Sequence, residues 1–267
     1  MLDTSRFQDA DKYSAYLKTP AGRLRSELAW ENVRRFLPHN TSRRALDVGG
    51  GTGVASLQLA RMDFEVVLLD GSEQMLRIAR QQAEACRATE RISFCHADVG
   101  QLPRLFDAES FDMIICHNLL EYTEDPSTTV RYMAHVLRKD GVFSVLVRNR
   151  AAEALKEAVK SGDWKLATTN LTADMVVDTL YEETLRVFAP ADLYELLARA
   201  RLEVVAEHGV RVFFDYMSLE NLSDATYSQI FELESTLGAR PEFSAIARYI
   251  QAIARRSGAS SSKVTGT

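Results

Sequence analysis

The ten residues from Arg44 to Gly53, which read RALDVGGGTG, constrain this chain more than any other stretch. Apolar residues lead into a turn that has glycine at four of its five positions, Gly49, Gly50, Gly51 and Gly53. Glycine is needed where φ is positive or where a backbone must approach a ligand with no Cβ between them. The run therefore predicts a strand, a tight turn and a helix whose free N–H groups and positive dipole end face the turn.

Two acidic residues indicate what the turn binds. Asp47 precedes the glycines, and Asp70 follows a second apolar run that begins at Phe64. A carboxylate beside a phosphate-binding loop would repel the anion, whereas it would attract an ammonium or a sulfonium group. An acid at the tip of the second strand can accept hydrogen bonds from both hydroxyls of a ribose. Together these residues predict a pocket for an adenosine that carries a positively charged amino-acid tail.

This run resembles motif I of the class I S-adenosylmethionine-dependent methyltransferases. The resemblance implies S-adenosyl-L-methionine as the cofactor, with Asp47 near its methionine part and Asp70 on its ribose. The alternative is a strand–helix corner that binds nothing. The residues that the resemblance assigns to cofactor binding are Arg25, Asp47, Gly49, Gly50, Gly51, Gly53, Asp70, Gly71, Met75, Ala97, Asp98, Val99 and His117.

Three of these assignments have structural alternatives. Met75 fits the apolar face of a helix, although in the family the residue at this place packs on the adenine. Asp98 would accept the adenine amino group, or it would cap a short helix near Gly100. His117 follows the fourth strand, where side chains face the ligand crevice, and it could equally be a buried, hydrogen-bonded imidazole.

Strands and helices alternate after Arg44, which predicts an α/β fold. We expect a Rossmann-like, seven-stranded, mostly parallel sheet with an antiparallel last strand and helices on both faces. The chain is interpreted as one methyltransferase domain over residues 1–256. It would comprise a helical lid (1–43), a cofactor-binding half (44–150), a helical insertion (151–190) and an acceptor-side half (191–256), followed by a disordered tail (257–267).

Composition and charge narrow the class of protein. Hydrophobic residues make up 46% of the chain and charged residues 26%, which is ordinary for a soluble globular protein. No apolar run is long enough to span a membrane, and the polar first residues lack the apolar region of a signal peptide. The three cysteines have no Cys-x-x-Cys spacing, which favours reduced core thiols over a metal site. We therefore expect a cytoplasmic protein, either a monomer or a homodimer, that binds no metal and no membrane.

Four further segments carry a narrower resemblance. These segments look like the bacterial tRNA 5-carboxymethoxyuridine methyltransferase family, which converts a carboxylate on a wobble uridine into its methyl ester. Arg25 would match that family's arginine at the cofactor, and His117 the histidine beside it. The segments are LRSELAW (24–30), HNLLEY (117–122), GVRVFFDY (209–216) and ARYIQAIAR (247–255).

An ionised carboxylate is already a nucleophile, so the enzyme has to align it, exclude water and hold it with a cation. Arginine suits the last task because it forms charge-assisted bidentate hydrogen bonds. Arg148, Arg211 and Arg248 are the candidates, with Tyr249 and Tyr16 as positioning partners, and a structural salt bridge is the alternative for each arginine.

The charge of the insertion leaves two kinds of methyl acceptor possible. Residues 151–200 contain five Lys/Arg and nine Asp/Glu, among them Asp174, Asp178, Glu182 and Glu183. An acidic face beside the acceptor entrance would repel a polyanion. The sequence thus favours tRNA as the acceptor and keeps a small-molecule carboxylate or hydroxyl as the alternative. A cofactor-binding protein without catalysis is a third interpretation.

Overall fold

The computed structural model describes residues 10–38, 43–177, 183–217 and 222–257. Its main sheet has seven strands in the order β3-β2-β1-β4-β5-β9-β8. Every neighbouring pair is parallel except those that β9 forms with β5 and β8. The predicted fold class, including the antiparallel last strand, is confirmed. The strands are β1 (Arg44–Val48), β2 (Glu65–Asp70), β3 (Ile92–His96), β4 (Phe111–His117), β5 (Leu137–Arg148), β8 (Leu202–Val210) and β9 (Tyr249–Arg256).

Helices cover both faces of this sheet because successive strand residues point to opposite sides. Leu46 and Ile114 belong to the core on one face, whereas Ala45 and Ile115 belong to the core on the other. The first face packs against α5 (Leu102–Leu105), α6 (Pro126–Val136) and α9 (Pro190–Arg199). The second face packs against α2 (Pro20–Arg34), α3 (Val54–Arg61) and α4 (Glu73–Ala85).

Two helices precede the sheet, in the segment that the sequence predicts to be a lid. Helix α1 (Ala10–Lys18) contacts α4 through Ala10, which packs with Met75 and Ile78. Helix α2 begins with Pro20, and the Thr19 side chain caps it by accepting a hydrogen bond from the Gly22 N–H. Leu24 and Leu28 of α2 are fully buried against the carboxyl-end edge of the sheet. Helix α2 is therefore anchored across the edge of the sheet where ligands bind in such folds.

The insertion is not wholly helical, so that prediction is wrong for its second half. It begins with α7 (Arg150–Lys156), a π-helical turn (Glu157–Ser161) and α8 (Trp164–Asn170). An antiparallel pair of short strands, β6 (Met175–Val177) and β7 (Thr184–Arg186), follows. Val176 and Leu185 are buried while their neighbours are exposed or, for Arg186, half-buried, which is the alternation of a half-buried strand. Two strands of three residues are too short to show this alternation in the sequence.

Two smaller expectations also differ from the structure. The run RKDG at 138–141 predicts a helix stop and a turn, but it lies within β5 as a bulge, because the pairing with β4 passes from Phe111↔Leu137 to Met113↔Val142. Cys86 was predicted to be a core thiol, but it is exposed at the end of α4, where the apolar stripe no longer faces the sheet.

The acceptor-side half ends with α10 (Asp224–Gly238), α11 (Pro241–Ser244) and β9. No helix in the four described ranges has both the length and the apolar character needed to cross a bilayer. The tail beyond Ser257, the first nine residues, and Asp178 and Glu182 of the insertion lie outside the described residues. The division of the chain into one domain with a lid and an insertion stays a prediction.

Candidate active site

The glycine turn between β1 and α3 has the conformation that its sequence requires. Gly49, Gly51 and Gly53 have φ values of +66°, +54° and +82°, in the left-handed region that favours glycine. Gly50 has an ordinary φ, but a Cβ there would lie only 2.8 Å from the Asp47 carboxyl carbon. Because glycine has no Cβ at these positions, a ligand can approach the backbone of the turn closely.

Asp47 braces the start of the helix after the turn. Its carboxylate accepts hydrogen bonds from the Ser56 N–H at 3.1 Å and from the Ser56 hydroxyl at 2.7 Å. Only 2% of Asp47 is exposed, and this burial raises its pKa to about 6, against the lowering effect of Ser56. The carboxylate lines a cavity on its other side, so it can also face a cation there.

Asp70, at the end of β2, joins the turn to the next helix. Its carboxylate oxygens accept hydrogen bonds from the Gly51 N–H at 2.9 Å and the Ser72 N–H at 2.8 Å. Burial raises the pKa of Asp70, and those backbone donors oppose the rise. Each oxygen keeps a free lone pair, so the predicted contact with two ribose hydroxyls remains sterically compatible with these bonds.

A cavity of about 270 Å³ lies between the lid and the carboxyl ends of β1 and β4. Among its lining residues are Arg25 of α2, Asp47, Thr52 of the turn and His117. Within the described ranges the buried Thr52 hydroxyl has no hydrogen-bond partner, which indicates that a ligand would satisfy it. An acid, an orphaned hydroxyl and a turn without Cβ atoms fit the methionine end of S-adenosylmethionine. Its remaining lining residues include Gly49 and Gly50 of the turn.

The other predicted cofactor residues lie beside this cavity rather than in its wall. Met75 is buried against Ala10 of the lid, as its core alternative predicts, and its sulfur lies 4.0 Å from the position of a Cβ on Gly51. Asp98 caps a short helix by accepting from the Gly100 N–H at 2.7 Å, which confirms its structural alternative. The Ala97 N–H donates to the Asp70 carbonyl. Gly71 and Val99 flank these residues, and Gly53 is the N-cap of α3.

His117 ends β4 and borders the cavity. Its Nε2 lies 2.8 Å from the Ser144 hydroxyl of β5, so the ring is hydrogen-bonded as well as adjacent to the cavity. Shielding from solvent, followed by the positive charge of Arg25, lowers the pKa of His117 to about 3. The imidazole is therefore neutral throughout the physiological pH range.

The four arginines that were predicted separately converge on one tyrosine. The guanidinium carbons of Arg25, Arg148 and Arg211 lie 5.8, 5.4 and 5.7 Å from the centre of the Tyr249 ring. Burial alone would raise the pKa of Tyr249, but the charges of these three residues and of Arg248 lower it to about 7. We call these five residues the arginine cluster, and Arg25 links it to the cavity.

Two carboxylates partly neutralise this cluster. Glu153, 2% exposed, lies 3.1 Å from Arg148 Nη1 and 3.0 Å from Arg248 Nη1. Arg211 donates its Nε–H to Asp215 at 3.0 Å and its Nη1–H to the Tyr16 hydroxyl at 2.8 Å. Two further buried carboxyls, Glu121 and Glu234, interact electrostatically with Arg148 and Arg211.

One buried N–H group of the cluster lacks a hydrogen bond. Arg248 Nη1 forms an ion pair with Glu153 but has no hydrogen bond of proper geometry to any described residue. A buried donor without a hydrogen bond is costly, which makes it a natural point of contact for a ligand oxygen.

Sequence reasoning missed the residues that support the cluster. Glu153 was counted with the acidic insertion, although it lies five residues after Arg148 at the start of α7. Buried Glu234 of α10 accepts the backbone N–H groups of Val212, Phe213 and Phe214, which holds the loop that begins at Arg211. An acid on the inward face of a predicted helix was the available signal for Glu234.

Comparison with known proteins identifies the class. The family described as "Methyltransferase domain" (Methyltransf_31) matches residues 39–201, more than half of the chain. The structure is similar to an S-adenosylmethionine-dependent methyltransferase from Thermotoga maritima, with a TM-score of 0.63 and 15% identity, covering 94% of this chain and 98% of that one. The chain belongs to this family and is an S-adenosylmethionine-dependent methyltransferase.

Two relatives and a further solved structure show which methyltransferases this chain is similar to. Escherichia coli tRNA 5-carboxymethoxyuridine methyltransferase is 28% identical over 266 residues, which cover 96% of this chain and 97% of the relative. A ubiquinone biosynthesis O-methyltransferase from Neisseria meningitidis is 29% identical over 183 residues, covering 63% and 67%. A Burkholderia thailandensis N1-methyltransferase with bound S-adenosylhomocysteine has a TM-score of 0.58 at 18% identity and covers 93% and 83%. Among the residues described here, no cluster of three or more His, Cys, Asp or Glu could hold a metal ion.

Proposed function

We propose that this enzyme methylates the carboxylate of 5-carboxymethoxyuridine in tRNA and so forms its methyl ester. The similarity to the Escherichia coli tRNA enzyme supports this acceptor because it extends over almost the whole of both chains. It includes the segments that supply Arg211, Arg248 and Tyr249, which lie after the residues matched by the family.

The observation that carries the proposal is the arginine cluster around Tyr249. Four guanidinium groups converge there, and among the described residues the buried Nη1 of Arg248 pairs with Glu153 but makes no hydrogen bond of proper geometry. A substrate carboxylate would accept a charge-assisted hydrogen bond from this N–H.

A hydroxyl acceptor needs a general base, and a base works best when its pKa lies near the working pH. His117, with a pKa of about 3 and its Nε2 occupied by Ser144, is a poor base, whereas Tyr249, with a pKa of about 7, could serve as one. A carboxylate needs no base because it is ionised at neutral pH. The new ester oxygen–methyl bond forms as the methyl–sulfur bond breaks, and no proton is transferred.

In this proposal the cofactor supplies a methyl group activated by a sulfonium. Asp70 and Gly51 would receive the ribose, while Asp47, Thr52 and Arg25 would enclose the methionine part in the cavity. Arg25 then separates the two ligands, because it borders the cavity and also faces Tyr249. This arrangement would place the methyl group toward the arginine cluster.

A small-molecule acceptor is the second candidate, and the acidic insertion favours it. Asp174 is exposed and pairs with Arg150 at the start of α7. Negative charge at this side of the site opposes the approach of nucleic acid. A metabolite carboxylate would use the same arginine cluster.

The test is to incubate the enzyme with methyl-labelled S-adenosylmethionine and bulk tRNA from a bacterium that lacks its own enzyme for this step. The tRNA is then digested, and the nucleosides are identified by mass. We expect a new methyl ester on 5-carboxymethoxyuridine that is absent with Asp70→Asn. If the wild-type enzyme binds the cofactor tightly but no tRNA nucleoside gains a methyl group, the tRNA proposal is wrong and the small acceptor replaces it.

A further inference from the structure

A polar side chain in the middle of β9 is buried in the sheet that supports the active site. Gln251 has no exposed surface, and its neighbours Ile250 and Ala252 belong to the apolar core. Burying an amide costs free energy unless its donors and acceptor are hydrogen-bonded. Neither the family match nor the proposed reaction explains why an amide should stand there.

The contacts of Gln251 determine which way its amide points. Its Nε2 lies 2.9 Å from the Ala29 carbonyl, which can only accept, so the group facing α2 must be the NH₂. Its Oε1 accepts a hydrogen bond from Asn32 Nδ2 at 2.9 Å. The second N–H of the amide points to the Ser144 hydroxyl at 3.2 Å.

This orientation in turn fixes the proton of Ser144. The hydroxyl oxygen already accepts from Gln251, and its own proton needs an acceptor. In the part of the chain that the structure describes, His117 Nε2, at 2.8 Å, is the acceptor in hydrogen-bond contact with this hydroxyl. His117 Nε2 therefore accepts, and a neutral imidazole that accepts at Nε2 carries its proton on Nδ1.

We propose that the buried chain Asn32–Gln251–Ser144–His117 keeps His117 in the Nδ1–H tautomer, so that the ring presents a donor to the ligand in the adjoining cavity. Gln251 and Ser144 are positioning residues, since neither lines that cavity and both act through His117. The donor suits an acceptor oxygen such as the carboxylate of the cofactor's amino-acid part. The inference rests on the proposed function only in placing the cofactor at His117.

The same chain connects the lid to the sheet. Asn32 and Ala29 belong to α2, Gln251 to β9, Ser144 to β5 and His117 to β4. Two of the three hydrogen bonds of the amide are thus made with the lid helix. The contacts with α2 therefore orient the Gln251 amide toward Ser144.

Nitrogen NMR of protein labelled with ¹⁵N-histidine tests the tautomer directly and needs no methyl acceptor. In the neutral wild-type ring we expect His117 Nε2 to be unprotonated and Nδ1 protonated, with the signals assigned by His117→Gln. Ser144→Ala should mix or reverse the tautomers, and Ser144→Thr, which keeps a hydroxyl, should restore the wild-type pattern. A protonated Nε2 in the wild type, or an unchanged tautomer in Ser144→Ala, would overturn the proposal.

Ligand affinity supplies a second readout. Loss of one hydrogen bond should weaken S-adenosylhomocysteine binding about three- to tenfold in Ser144→Ala, as measured by calorimetry. Gln251→Met serves if Ser144→Ala does not fold, and we expect the same mixing of tautomers in it. A failed methyl transfer to tRNA with the wild-type tautomer as expected would reject the acceptor and leave this inference intact. Successful methyl transfer to tRNA by an enzyme whose His117 has the other tautomer would reject this inference and leave the proposed acceptor intact.

Discussion

The charge of the Asp47 carboxylate lowers the stability of the fold but would favour binding of a sulfonium. Its pKa is raised to about 6, so the folded protein holds the proton more tightly than the unfolded chain does. The stabilisation from protonated Asp47 is complete below the ordinary carboxyl pKa and is lost as the pH rises through about 6. At neutral pH the ionised group therefore costs stability, while its charge is what would attract a sulfonium.

Replacing Asp47 by asparagine should separate these two effects. We expect Asp47→Asn to be more stable than the wild type at neutral pH by roughly 1–3 kcal/mol, with the difference disappearing in acid. Asparagine still accepts from Ser56, whereas Asp47→Ala does not and should be destabilised. Urea unfolding at several pH values measures this difference. Equal stability of Asp47→Asn and the wild type at every pH would contradict the account of Asp47.

The Asp47 carboxylate should also make the affinity for the cofactor depend on pH. Because protonation removes the charge, S-adenosylmethionine affinity should fall as the pH drops through about 6 in the wild type. Calorimetric titration should find this fall absent in Asp47→Asn, which binds weakly at all pH values. An identical pH profile in the two proteins would show that Asp47 does not face the cofactor.

Ionisation of Tyr249 should weaken acceptor binding as the pH rises, whereas cofactor binding should strengthen. Its pKa is lowered to about 7 by Arg148, Arg211, Arg25 and Arg248, against the effect of burial. Above that pH the phenolate would neutralise the arginines and repel a carboxylate. We expect KM for the acceptor to rise with pH above about 7, approaching tenfold per pH unit, with kcat nearly unchanged.

Steady-state kinetics of Tyr249→Phe test this explanation. The variant lacks the ionising group, so its acceptor KM should be nearly independent of pH between about 6 and 8.5. Tyr194→Phe on α9 is the matched control and should keep the wild-type profile. If Tyr249→Phe retains the rise of KM, another group is responsible and Tyr249 is not the anion of the cluster.

Among the elements, α1 depends on the arginine cluster for its position. The Tyr13 hydroxyl accepts from Arg25 at 2.8 Å, and the Tyr16 hydroxyl accepts from Arg211 at the same distance. The helix also packs on α4 through Ala10. These contacts hold α1 beside the glycine turn, where we expect it to act as a lid over the nucleoside part of a bound cofactor.

Loss of one such contact should loosen the lid without unfolding the sheet. We expect Tyr16→Phe to release S-adenosylhomocysteine about three- to tenfold faster, because one hydrogen bond to a charged group is lost. Stopped-flow dissociation measures the rate, and hydrogen exchange over 10–34 should show reduced protection. Tyr194→Phe again provides the control, and a Tyr16→Phe rate equal to that of the control would argue against a lid function for α1.

The sequence predicted the elements whose signals are local. The turn at Gly49–Gly53 was recognised because its conformation depends on neighbouring residues. The strands β6 and β7 were missed because three residues are too few to show a period. Glu153 and Gln251 were missed because their partners lie on other elements, and only the fold brings these together.

For the whole molecule, the interpretation as one domain predicts a single cooperative unfolding transition. S-adenosylhomocysteine at a hundred times its Kd should stabilise that transition by about 2.7 kcal/mol. Differential scanning calorimetry measures both quantities. Two separate transitions, of which the ligand shifts only one, would contradict the single domain.

The proposed function requires that the arginine cluster hold the carboxylate that receives the methyl group. The most direct measurement is the steady-state kinetics of methyl ester formation on tRNA by Arg248→Lys, with the exposed Arg80→Lys as the matched control. Lysine cannot reproduce the bidentate geometry, so we predict an acceptor KM about tenfold higher or more, with S-adenosylhomocysteine affinity unchanged. An Arg248→Lys enzyme with the KM of the wild type and of Arg80→Lys would contradict the claim.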